Sequence, residues 1–236
     1  MKLAALLTPE EIAIVALSLK VSSVAIGVVL PVAFGLAWIL ARTRFAGKLL
    51  LDALIHLPLV LPPVVTGWLL LLAFGKSGPA GRLISELFGA TLIFRWTGAA
   101  VAASVMALPL MVRAIRLSLE NVDTRLEGVA RTLGAGPWRT FFSVTLPLAM
   151  PGVLAAIVLG FARSIGEFGA TITFVSNIPG ETRTLPLAIY TSLQVPGGEG
   201  AVTRLALISV ALSLVALAVS EWLVRRAGRR GGNHVL

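Results

Sequence analysis

Five long apolar runs, punctuated by proline and glycine, decide most of what this chain can fold into. They lie at about residues 12–41, 49–74, 97–117, 147–173 and 205–224. A helix that crosses lipid needs about 20 mostly apolar residues, and each run meets that length. The chain is 57% hydrophobic and 13% charged, with a mean hydropathy of +0.93. Soluble domains carry about 25% charged residues, so a soluble fold of this make-up would expose large apolar patches. The same hydrophobicity excludes intrinsic disorder. With no cysteine, the chain has no disulfides, zinc-thiolate or iron–sulfur sites, or thiol catalysis. The expectation is an all-α polytopic membrane protein, one transmembrane domain over 1–236, with five spans.

Each span has local signals. Thr8, Pro9 and Glu11 form a helix start in which threonine caps and the glutamate three residues on caps back. The 12–41 run would extend about 45 Å as a helix, against about 30 Å of hydrocarbon. It is expected to tilt, kink at Pro31 or project beyond the bilayer, with Lys20 snorkelling or facing a partner helix. Pro58, Pro62 and Pro63 interrupt the second run, and each removes a backbone donor. Residues 75–96 read as an interfacial connection with a short amphipathic piece. Pro109 lies inside the third run. The apolar piece Leu185–Leu193 is too short to cross. Met1–Leu7 is too short for the apolar region of a removable signal peptide, and no internal repeat of 20–50 residues is present.

The net charge of +9 raises the question of nucleic acid, and the placement of the basic residues answers it. Successive loops alternate sides. The 42–48 loop, the 113–139 region and the tail from Arg225 carry twelve of the 20 Lys and Arg. The opposite side holds six: Lys2, Lys76, Arg82, Arg95, Arg183 and Arg204. Cytoplasmic loops of membrane proteins accumulate Lys and Arg, so the N-terminus is expected outside and the C-terminus in the cytoplasm.

Catalytic chemistry has little to work with. The histidines are His56 and His234, too few for a histidine-based metal or haem site, and no metal or cofactor is expected. His56 reads as a packed helix histidine. Gly75-Lys76-Ser77 resembles the end of a phosphate-binding loop, but the glycine needed five residues earlier is Leu70. Any ATP hydrolysis must therefore come from a separate subunit.

The most specific segment is the loop at about 123–146. Residues 123–133 predict a short helix that Gly134 ends, Gly136-Pro137 turns the chain, and a second short helix carries Trp138, Phe141 and Phe142 back to Leu146-Pro147. A rigid surface helix with basic and apolar side chains suits a groove on a partner; an ordinary interfacial re-entry loop is the plainer alternative. This segment resembles the coupling loop of ABC importer permeases. Their pattern runs Glu-Ala-Ala, three residues, Gly, nine residues, Ile, one residue, Leu-Pro. Gly134 and Leu146-Pro147 match, Val144 stands for Ile, and Glu127 stands one place early. The resemblance is closer to the molybdate or tungstate branch. It is carried by RTRFAGK (42–48), HLPLVLPPVVTG (56–67), VARTLGAGPWRTFFSVTLPLA (129–149) and ARSIGEFGATITFVSNIPGETRTLPLAIY (162–190).

What the resemblance implies is a type I importer permease in the inner membrane, moving a tetrahedral oxyanion by alternating access. Its implied partners are a second copy of itself, a dimer of ATP-binding cassette ATPases and a periplasmic or extracellular oxyanion-binding protein. The residues expected to couple to the ATPase are Glu127, Ala130, Arg131, Leu133, Gly134, Ala135, Trp138 and Pro147. A sulfate or thiosulfate permease is the alternative within the family. A membrane scaffold or enzyme without transport is the remote one, and it lacks a Ser/His or metal constellation.

Arg163 and Glu167 are intramembrane charges, each costing about 2.5–3.5 kcal/mol near a helix centre. On a continuous helix they join Ala156, Gly160 and Ala170 in one small-and-polar stripe. They are either a buried pair that fixes helix packing or candidates, with Thr171, Thr173 and Ser176, for the anion pathway. The stepped Ser209, Ser213, Ala216 and Ser220 of the last span read as packing.

Overall fold

Thr8 and Glu11 cap each other's backbone N–H, at 3.2 and 2.8 Å, and so begin helix α1 (Pro9–Arg42). The computed structural model describes residues 7–231, with backbone alone at Ser220, Glu221 and 223–231. Lys2 and His234, both named above, lie outside the described residues, as do the side chains of the tail arginines. Helix α1 runs unbroken through Pro31.

The second run is not one helix. Helices α2 (Lys48–Val60) and α3 (Pro63–Phe74) meet at a bend of 116°. Leu61 and Pro62 both precede a proline, whose ring disfavours helical backbone in the residue before it, and both are extended at ψ 142° and 134°. Neither Pro62 nor Pro63 has an N–H to continue the ladder. Helix α4 (Pro79–Phe88) is the expected amphipathic connection, followed by α5 (Trp96–Glu120) with Pro109 buried inside it. Next come α6 (Thr124–Thr132) and α7 (Pro137–Thr140), which continues through a π-helical turn, Phe141–Thr145, into α8 (Leu146–Ile165). The expected fourth span also breaks early, because α8 stops at Gly166 and α9 (Gly169–Val175) begins afresh. Helix α10 is Leu185–Leu193, the piece expected from the sequence, and α11 is Glu199–Gly231.

Among the described residues four helices are long and apolar enough to cross a membrane, and the bent pair supplies a fifth crossing if taken together. No strand occurs among them. Small residues set the core. Ala33 and Ala37 of α1, Ala107 of α5 and Ala156 of α8 are fully buried with Met111, Val112 and Ile115. A β-carbon at Gly160 would meet Met111 Sδ at 2.6 Å, and one at Gly152 would meet Ser118 Cβ at 2.2 Å. Helices in lipid gain little from the hydrophobic effect and associate by close packing, which these residues permit.

The length of α1 is used at its N-terminal end. Lys20 lies 3.8 Å over the ring of Trp96, the first residue of α5, instead of facing lipid alone. The turns of α1 before Lys20 extend beyond α5 and pack Ile14 against Leu185, Ala188 and Leu205. Glu11 pairs with Arg204 at 2.8 Å, and Ser18 Oγ accepts from Leu185 N at 2.8 Å. The molecule therefore has one end built from the 42–48 turn and the 123–146 loop. The opposite end holds the start of α1, the 176–184 loop and the start of α11.

Candidate functional site

The loop 123–146 is built by local rules. Asp123 caps α6 by accepting from Arg125 N at 2.8 Å. At the other end Gly134 N donates to Arg131 O and Ala135 N to Ala130 O, both at 3.0 Å, closing a Schellman motif. That motif requires a left-handed residue, and Gly134 has φ +87°. Pro137 then opens α7, and Thr140 N returns to Gly136 O at 2.9 Å. The π-turn follows, closed by Leu146 N donating to Phe141 O. Pro147, just beyond, has no N–H and would crowd the carbonyl one turn back, a conflict that a widened turn relieves.

This scaffold presents apolar side chains outward. Leu133 is 82% and Trp138 76% exposed, with Leu126, Val129 and Phe142 also exposed. Arg131, Gly134 and Pro147 are exposed, whereas Ala130 and Ala135 are half-buried. Glu127 faces inward. Its Oε1 accepts from Arg42 Nη2 and from Thr145 Oγ1, each at 2.8 Å. Sequence reasoning missed both partners, since Arg42 is 85 residues away and no local period links them.

The second group of residues is only partly brought together. Arg163 Nη1 lies 2.6 Å from Glu167 Oε2, although the helix ends between them. Glu167 is buried, and its Oε1 accepts from Ala170 N at 2.8 Å, so one carboxylate holds α8 to the start of α9. The continuous stripe expected from Ala156 to Ala170 is therefore interrupted at Gly166. Thr171 and Thr173 do not share a face, because two helical steps turn about 200°. Thr171 is buried. Thr173 returns its hydroxyl to Gly169 O at 2.9 Å and packs at the site where a β-carbon on Gly67 would lie. Ser176 is exposed with φ +65°, a conformation rare outside glycine, and its carbonyl accepts from Thr182 Oγ1 at 3.0 Å. Asn177 bridges Thr191 at 2.6 Å and Arg183 at 3.1 Å. The 176–184 loop is thus tied down by its own polar side chains.

A charged cleft of about 390 Å³ between α2 and α5 was not legible in the sequence. Arg116 bonds Asp52 at 3.1 Å and Glu120 at 2.8 Å, and His56 Nδ1 lies 2.8 Å from Asp52 O. His56 is thus hydrogen-bonded within its own helix.

Residues 33–229 match the family described as the binding-protein-dependent transport system inner membrane component. The chain belongs to this family. Its relatives include the molybdenum transport system permease protein ModB of Escherichia coli (strain K12), 58% identical over 96% of this chain and 99% of that protein. ModB of Haemophilus influenzae is 55% identical over 94% of this chain and 97% of that protein. A sulfate transport system permease protein, CysT of Escherichia coli (strain K12), is 39% identical over 85% and 73% of the two chains. Among solved structures, a bacterial alginate ABC transporter in complex with its alginate-bound periplasmic protein matches with a TM-score of 0.73 at 16% identity. That match covers 95% of this chain and 82% of the other. The MetNI methionine ABC transporter in an inward-facing conformation matches with a TM-score of 0.68 at 19% identity, over 89% and 93% of the chains. These two likenesses concern the fold. This permease is an inner-membrane transport component of an ABC importer family and not an enzyme.

Proposed function

We propose that this permease moves molybdate, or the chemically similar tungstate, across the inner membrane as one half of a homodimer. The observation that carries the reading is near full-length identity to proteins named as molybdenum permeases, at 58% and 55%, against 39% for the sulfate permease. A separate ATPase dimer docks on the loop 123–146, and an oxyanion-binding protein delivers substrate to the opposite end. Exposed Leu133 and Trp138 on a rigid, glycine-terminated loop support the docking assignment. Arg131, Gly134 and Pro147 are exposed as well, with Ala130 and Ala135 half-buried. The basic residues cluster at this end, which supports a cytoplasmic loop, an external N-terminus and a cytoplasmic C-terminus. ATP binding draws the docked loops together and opens the pore outward; hydrolysis returns it.

For the pathway, Arg163, Thr173 and Ser176 are the candidates that retain partial or full exposure, while Glu167 and Thr171 are buried beside them. High affinity belongs to the binding protein, because a pore that holds its anion tightly cannot release it. Liposomes holding the permease, ATPase and binding protein test the reading by uptake of labelled molybdate against competitors. Sub-micromolar molybdate and tungstate should suppress uptake while sulfate does not. Equal suppression by sulfate would return the chain to the sulfate reading.

A further inference from the structure

Glu127 sits on the loop proposed to meet the ATPase, yet its carboxylate turns away from the open surface. One oxygen takes two hydrogen bonds at 2.8 Å, from Arg42 Nη2 at the end of α1 and from Thr145 Oγ1 in the π-turn. The side chains of Arg42 and Glu127 are only 16% and 15% exposed, and Thr145 is buried. Two parts of the loop and the end of α1, 85 residues from Glu127, therefore meet on one carboxylate oxygen. To reach a partner subunit, Glu127 would have to abandon a charge-assisted bond and leave a largely buried guanidinium unpaired, which is costly.

A second contact chain joins α7 and the π-turn to α1. Trp138, exposed on the loop, stacks on Phe142 with ring centroids 6.4 Å apart. Phe142 meets Phe141 edge-on at 5.0 Å, and Phe141 meets Trp38 and Phe34 of α1 edge-on at 5.3 and 5.9 Å. The Arg42 guanidinium lies 5.8 Å from the centre of the Trp38 ring, which links the ionic contact to the aromatic one.

We propose that Glu127 and Arg42 form a brace that carries movement of the docking loop into α1, and that neither residue is a contact to the ATPase. The inference rests on the docking assignment above and adds the route by which motion enters the membrane helices. Loop and α1 move as one body because the brace and the aromatic chain clamp them at two points. Helix α1 in turn is packed along α5 and α8 and, at its far end, against α10 and α11. Glu127 and Arg42 are positioning residues, so their loss should change how much substrate moves per ATP and leave the ATPase attached.

The test uses the complete transporter in liposomes with its binding protein and molybdate, normalised to inserted permease. Glu127→Gln keeps an acceptor for Thr145 and removes the charge; Arg42→Lys keeps the charge and removes the fork. Each is expected to lower molybdate moved per ATP hydrolysed about fivefold, within the range by which residues remote from a ligand change coupling. The ATPase should co-purify at the wild-type ratio. The double variant should be no worse than the poorer single, because both act through one contact. Should either variant fail to accumulate in the membrane, Thr145→Val carries the same test from the third partner. Loss of the ATPase from Glu127→Gln alone, or losses that multiply in the double variant, would overturn the brace. An ATPase that stays bound when Leu133 and Trp138 are both replaced by alanine would overturn the docking assignment, and the brace with it.

Discussion

At the scale of single residues, Gly134 and Glu167 show two different ways in which a side chain can be required. Nothing lies within 4 Å of a β-carbon placed on Gly134, so space does not select glycine there. Its φ of +87° does, since an L-residue in left-handed backbone costs about 1–2 kcal/mol. Asparagine tolerates that region, and a β-branched residue does not. Gly134→Asn should therefore retain most ATPase association and Gly134→Val should lose it, as read by co-purification from membranes. Glu167 is selected by its partners, Arg163 and Ala170 N. Glu167→Ala leaves a guanidinium unpaired beside an uncapped helix, and Arg163 is still a quarter exposed. A destabilisation of about 2 kcal/mol, below the ~3–5 kcal/mol of breaking a fully buried pair, should appear as a lower Tm in detergent. Glu167→Gln, which can still accept from Ala170 N, should lose less. The glycine was legible in the sequence because helix termination is local. The carboxylate was visible as an intramembrane charge, but its hold on two separate helices was not.

At the scale of elements, starts and stops were more legible than directions. The capping box at Thr8, the short helix Leu185–Leu193 and the glycine end of α6 follow from neighbouring residues, and the structure has them where the sequence places them. The break at Pro62-Pro63 was visible as missing donors, but the 116° turn was not. A missing hydrogen bond frees the chain without saying where it goes. Close packing against α9 fixes the answer: a β-carbon on Gly67 would lie 2.6 Å from Ala170 O, and one on Gly169 would lie 2.7 Å from Pro63 Cβ. Gly67→Val should force these helices apart at a cost of about 1–3 kcal/mol. Thermal unfolding in detergent measures that cost, and a Tm equal to wild type would show that α3 and α9 are not held together there. The break at Gly166 was missed because the small-residue stripe kept helical spacing across it, and spacing does not register where a backbone turns.

At the scale of the whole molecule, the 42–48 turn and the 123–146 loop share one end, but the pairs that fasten each end do not show in the sequence. Arg42 with Glu127 closes one end, and Glu11 with Arg204 the other, across 85 and 193 residues. Long-range ion pairs depend on helix order and stagger, which no window of sequence contains. The proposed orientation can be checked simply because the chain has no cysteine to remove. In intact cells a membrane-impermeant maleimide should label Glu181→Cys and spare Arg131→Cys, both at exposed positions. The reverse pattern would invert the topology.

The proposed coupling of ATP hydrolysis on another subunit to movement of molybdate through this one runs through the glycine-ended loop. It is tested most directly by the initial rate of labelled molybdate uptake into liposomes holding the permease, ATPase and binding protein, with and without ATP. Uptake should require ATP in the wild type and fall to the ATP-free level in Gly134→Val, with the variant still inserted. Uptake that is indifferent to ATP, or equally fast in Gly134→Val, would contradict it.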